Sequence, residues 1–175
     1  MLEKAAAMPK PQRTLNPEHV ADAIRRYNMV GFNNHNFFEV DELGPAYCKA
    51  HLNTHETSLN IMGGVHGGAI ATLCDIVTFL AVYADLDEDE GFTSLDLNVS
   101  FVRTPAPGIL RGEGTLLRRG KTVSLAEALI YDSQDKLVAH ATEKIFTAKA
   151  PKLMPMKKAL ELRDPDTPLP PKYLD

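Results

Sequence analysis

Apolar and polar residues alternate strictly in "SLDLNVSFV": Leu95, Leu97, Val99 and Phe101 fall on one phase, and Ser94, Asp96, Asn98 and Ser100 on the other. Period-two patterning of this kind predicts a half-buried antiparallel strand. Similar runs follow in "ILRGEGTLLR", "KTVSLAEALIY" and "KLVAHATEKIF", separated by "RTPAPG", "RG" and "DSQD", all good turn chemistry. Two more strand-like runs, "NFFEVDELG" and "AYCKAHLN", lie upstream and join near Gly44 and Pro45. Between the two groups, Val65–Ala84 is apolar almost all round and long enough for a buried helix, with the glycine-rich "NIMGGVHGG" leading into it. A further helix is predicted in "NPEHVADAIRRYN", with Asn16 as N-cap, Pro17 in the first turn, and Val20, Ile24 and Tyr27 on one face. The order is two strands, one long helix, then four strands. An α+β fold follows, in which an antiparallel sheet curls around one long central helix.

Residues 1–15 are expected to form a mobile arm and residues 16–148 the folded domain. The segment 149–175 holds six of the twelve prolines and is expected to pack as an irregular extension on the surface or on a partner. The chain has 175 residues, 44% of them hydrophobic and 24% charged, enough for one ordinary domain. A formal net charge of −4 argues against nucleic-acid binding. Cys48 and Cys74 lack metal-type spacing and suit a reducing compartment. The N-terminus has no apolar signal core, which favours a cytoplasmic protein; Lys4, Lys10 and Arg13 against Glu3 leave mitochondrial import as the alternative. No membrane span is expected, because Asp75 sits mid-helix and the acidic "DLDEDE" follows directly.

Asp75 is the anomaly. A carboxylate on a surrounded helix costs several kcal/mol unless it is bonded, paired or protonated. No Lys, Arg or second acid lies within that helix. Two readings remain open: a structural Asp held by backbone amides, Thr72 or Thr78, or a group kept for chemistry. "HGG" stands where the helix begins, at the positive dipole end, where free N–H groups collect and glycines admit a ligand oxygen. His66 and Asp75 would then lie roughly 13 Å apart along a straight helix, so a glycine loop folded back over the helix, a later helix start, a bend or a second subunit would be needed to unite them. His51 and His55 lack an HExxH context and "DLDEDEG" has Glu90 where a calcium loop needs glycine, so no metal is expected. Neither a nucleotide fingerprint nor a GxSxG elbow is present, and no cofactor is expected.

Taken together, "HGGAIATLCD", "SLDLNVSFVRTPAPG" and "RRGKTVSLAEALIYDSQDKLVAHATEKIF" resemble the hotdog-fold acyl-CoA thioesterases of the phenylacetate-pathway and thioesterase-superfamily-member type, over about residues 50–147. The resemblance implies a hotdog fold, homodimers joined edge to edge and paired as dimers of dimers, and acyl-CoA hydrolysis at subunit interfaces. It implies that Asp75 is the general base or nucleophile and that the Gly67 N–H polarises the thioester carbonyl. His66 would support that loop, Asn60 would place substrate or water, and Ser94 would orient the attacking water. With an acyl-CoA substrate, Arg118, Arg119 and Lys121 become candidates for holding its phosphates; otherwise they are a solvated turn. Two other functions fit the same fold: a non-catalytic acyl-CoA-binding module, and a hydratase or dehydratase using a His plus an acid.

Overall fold

A computed structural model describes residues 13–174. The arm expected over residues 1–15 lies almost wholly outside them; its last residues form β1 (Thr14–Leu15). There follow α1 (Pro17–Asn28), α2 (Gly31–His35), β2 (Phe38–Gly44), β3 (Tyr47–Asn53), α3 (Gly67–Asp85), β4 (Glu90–Phe101), β5 (Ile109–Arg118), β6 (Val123–Tyr131), β7 (Leu137–Lys149), α4 (Met156–Glu161) and β8 (Tyr173–Leu174). The main sheet has six antiparallel strands in the order β2-β3-β5-β6-β7-β4. It curls around α3, whose Leu73, Cys74, Val77 and Ala81 are fully buried. This is the predicted α+β arrangement.

The helix signals are met locally. The Asn16 side chain accepts a hydrogen bond from the Glu18 N–H at 3.0 Å, and Val20, Ile24 and Tyr27 pack against the core. The short helix α2 was not expected; "GFNNH" has no apolar periodicity to announce it. In the core, α3 lies so close to β5 that a Cβ on Gly114 would meet the Val77 carbonyl oxygen at 2.2 Å.

One strand departs from simple alternation. β4 carries a bulge between Ser94 and Asp96: Ser94 pairs with Ile145, Asp96 already pairs with Lys144, and Leu95 is the extra residue. An extra residue shifts the phase of everything before it. Leu97, Val99 and Phe101 keep the phase expected of them, but Leu95 is turned out, 56% exposed, and Ser94 joins the helix-facing side. The expected polar phase therefore loses Ser94. β4 is also an edge strand, bonded only to β7 among the described residues.

The proline-rich extension is tied down. Arg26, fully buried, donates from α1 to the carbonyls of Asp164 (3.0 Å) and Thr167 (2.5 Å) and to the Asp22 carboxylate (2.9 Å). His19 donates from Nδ1 to the Pro170 carbonyl at 2.7 Å, so its Nε2 accepts from the Tyr83 hydroxyl at 2.6 Å. Lys172, also buried, donates to the carbonyls of Tyr83 and Leu86 and caps the C-terminal end of α3. Finally β8 pairs with β1. Replacing Arg26 by Ala leaves the carbonyls of Leu160, Asp164 and Thr167 without this donor and Asp22 with Arg25 alone. The variant should lose about 3–5 kcal/mol in denaturant titration, the usual cost of removing one partner of a buried charged network.

Candidate active site

His66 caps α3. Its Nδ1 accepts the Gly68 N–H at 2.9 Å, which leaves that nitrogen without a proton. Gly67, the first helical residue, has an N–H with no hydrogen-bond partner among the described residues, as expected at a helix start. The ring of Phe101, from the edge strand, lies 3.4 Å from where a Gly67 Cβ would stand.

The preceding loop is organised by Asn60. Its Oδ1 accepts from the N–H groups of Met62 (2.9 Å) and Gly64 (3.2 Å), and its Nδ2 donates to the Val65 carbonyl (3.3 Å). Gly63 takes φ of 78°, the left-handed region in which glycine is unstrained. Asn60 thus spends its side chain on shaping the loop that delivers His66 and Gly67. The loop tip is exposed, with Ile61 at 102% and Met62 at 86% of full exposure.

Asp75 lies further along α3, half-buried, on the face turned to β4 and β7. Neither threonine weighed as its structural holder bonds its carboxylate. Thr72 donates to the Gly68 carbonyl (2.9 Å), and Thr78 reaches the Cys74 carbonyl (2.8 Å) and Glu143. The carboxylate instead accepts from Ser94, Oγ to Oδ1 at 3.2 Å. That contact exists because the bulge turns Ser94 inward.

A second acid stands beside Asp75. Glu143 of β7 is fully buried, contacts Thr78 Oγ1 through Oε2, interacts with both Ser94 and Asp75, and has no hydrogen-bond partner for Oε1 among the described residues. Burial, opposed by the Ser94 and Thr78 hydroxyls and reinforced by the Asp75 charge, pushes its carboxyl up to about 7. The helix predicted over 65–84 holds no second acid; this one comes from across the sheet. A sequence signal existed: Ala139, Ala141, Glu143, Ile145 and Thr147 share the inward phase of β7, and Glu143 is the charged member.

The basic turn does not form one cluster. Arg119 turns inward, bonding Glu90 (2.6 Å) and Thr147 (3.0 Å) and facing Asp85 at 3.4 Å. Arg118 and Lys121 stay exposed. Adjacency in sequence does not keep the three together, because Arg119 is claimed by acids at the end of α3 and the start of β4.

Comparison with known proteins places this geometry. The Thioesterase superfamily model matches residues 62–139, from the glycine loop to β7. A candidate esterase from Mycobacterium tuberculosis is 27% identical over 124 residues, 69% of this chain and 89% of that protein. Its solved structure superposes with a TM-score of 0.66 over 69% of this chain and 98% of that one. The 1,4-dihydroxy-2-naphthoyl-CoA hydrolase of Escherichia coli is 25% identical over 116 residues, 66% of this chain and 83% of the hydrolase. The Escherichia coli PaaI protein of the phenylacetic acid degradation operon, 17% identical, superposes with a TM-score of 0.69 over 77% of this chain and 96% of that one. The fold is the hotdog fold, and the match to the thioesterase superfamily is confined to residues 62–139, the loop, α3 and the strands up to the start of β7. The relatives support ester or thioester hydrolysis as the general chemistry.

Asn60→Ala should speed amide hydrogen exchange at Met62 and Gly64, while the middle of α3 stays protected. Unchanged exchange at both amides would show that the side chain does not hold the loop.

Proposed function

We propose that the protein hydrolyses acyl-CoA thioesters, with Asp75 as the general base or nucleophile. The observation that carries this is the half-buried Asp75 carboxylate facing Ser94, a hydroxyl that the bulge delivers to it. Acyl transfer to water needs a base, a positioned water and an oxyanion donor. Asp75 supplies the first, and Ser94 stands where it orients the second. The unpartnered Gly67 N–H, backed by the helix dipole, is the third, with His66 and Asn60 holding its loop. The CoA thioester is supported by the hydrolase relative.

Gly67 and Asp75 are separated along α3 by about 12 Å, at about 1.5 Å per residue over a continuous helix. One small atom cannot touch both. The proposed site is therefore shared: Gly67 of one copy faces Asp75 of the next, in a homodimer joined through the β4 edge and paired again as a dimer of dimers. The exposed Leu95 and Phe101 on that strand support such a contact, since an open apolar edge is otherwise a liability. Arg118 and Lys121 remain as the candidates for the CoA phosphates, without Arg119.

Asp75→Asn should cut kcat for acyl-CoA hydrolysis by ~10²–10⁴-fold, the usual contribution of general acid–base catalysis, with an unchanged circular dichroism spectrum. A panel of acyl-CoAs of graded length, assayed with both proteins, checks it. Near-normal turnover in the variant would end the catalytic assignment.

A further inference from the structure

Four hydroxyl and carboxyl groups meet where α3 crosses β4 and β7, and they do not share enough hydrogens. The Thr78 hydroxyl has one hydrogen but lies against the Cys74 carbonyl (2.8 Å), the Asp75 carbonyl (3.1 Å) and Glu143 Oε2. The Ser94 hydroxyl has one hydrogen and gives it to Asp75. With Glu143 ionised, three acceptor oxygens compete for the one Thr78 hydrogen, and Oε1 has no donor among the described residues. A fully buried carboxylate with a bare oxygen is an expensive arrangement. A proton on Glu143 removes the conflict: its O–H completes the Thr78 contact while Thr78 keeps its bond to the helix carbonyl.

We propose that Glu143 is a positioning residue held as the neutral acid, so that Ser94 gives its single hydrogen to Asp75 and Asp75 remains the one charge in the site. Ionisation sends the Glu143 proton to solvent and creates a second carboxylate within reach of Ser94, which then has two claimants for its hydrogen. The Ser94–Asp75 bond weakens and the water it orients is lost.

Among the described residues, the groups facing Glu143 bring no charge besides that of Asp75. Across from it α3 presents Cys74, Asp75 and Thr78, β4 presents Ser94 and Leu97, β6 pairs Ala126 with it, and α1 contributes Tyr27. Burial holds the Cys74 thiol at about 12 and the Tyr27 phenol well above its ordinary range, so both stay neutral where Glu143 titrates. A carboxyl raised in the folded state contributes stability that is complete below its unfolded value and lost as pH climbs through about 7. The neutral state therefore belongs to the acid side of neutrality.

The kinetic consequence rests on the hydrolase reading above; the proton itself does not. The test compares wild type with Glu143→Gln, whose amide keeps a donor but cannot ionise. Infrared spectra of the wild type at about pH 6 should show the C=O stretch of a buried protonated acid. That band should vanish as pH passes about 7 and be missing from the variant. Wild-type kcat/KM on acyl-CoA should fall roughly thirtyfold between about pH 6 and pH 8.5, following the protonated fraction, while the variant stays level. No band at pH 6, or a band kept by the variant, overturns the proposal, and so do superimposable pH profiles. A band that titrates as expected in a protein with no turnover would sink the hydrolase reading and leave the neutral acid standing. If Glu143→Gln does not fold, Asp75→Asn serves: deleting the neighbouring charge should move the loss of the band to lower pH. A band that vanishes earlier supports the proposal, and one that does not move overturns it.

Discussion

Everything in this molecule depends on how closely α3 can lie against the sheet. The helix has no polar face, so it must be covered on several sides, and one curled sheet can do that only at short range. Gly112 and Gly114 of β5 make the range short: a Cβ at Gly112 would stand 3.0 Å from Leu73 Cγ, and one at Gly114 would collide with the Val77 backbone. Once that contact is set, the rotation of α3 is fixed, and Asp75 can only face β4 and β7. The site is a consequence of packing before it is a consequence of chemistry.

That placement sets two carboxyl groups side by side in a poorly solvated corner. Two charges there would each need hydrogens that the surroundings do not supply, and the less solvated acid gives way first. Asp75 is half-buried and Glu143 fully so, which decides which of the two keeps its proton. Environment, not residue type, assigns the roles, as it does wherever two like acids meet.

Much of this was legible in the sequence. The apolar run of α3, the antiparallel strands, the capped helix at Asn16 and the isolated Asp75 follow from periodicity and local chemistry, and "HGG" marks the start of the central helix. Other features depend on partners far away in the chain. The bulge at Leu95 is invisible to a period-two reading, because "SLDLNVSFV" alternates without a flaw; only pairing with Lys144 shows that one residue is extra. Glu143 could have been flagged as a charge on an apolar phase, but that phase emerges only when β7 is read as a strand buried on its inner face. Arg119 looked like its neighbours because the acids that claim it, Asp85 and Glu90, are some thirty residues earlier. Composition marks the tail as an irregular packed extension, but does not say which backbone carbonyls it offers to the buried Arg26 and His19.

The pairing of β1 with β8 carries a consequence for the order of assembly. Beside this seam the Asn16 side chain bonds the Pro171 carbonyl, 155 residues away, and the paired strands are further apart still. Closing so long a loop has a high entropic cost unless the intervening chain is already compact. The curled sheet and its helix must form first and bring the two ends within reach. On a ribosome the last turn of that process waits for Lys172 and Tyr173 to emerge. Until then the C-terminal carbonyls of α3 face water, and the core helix is finished only when the final strap reaches it.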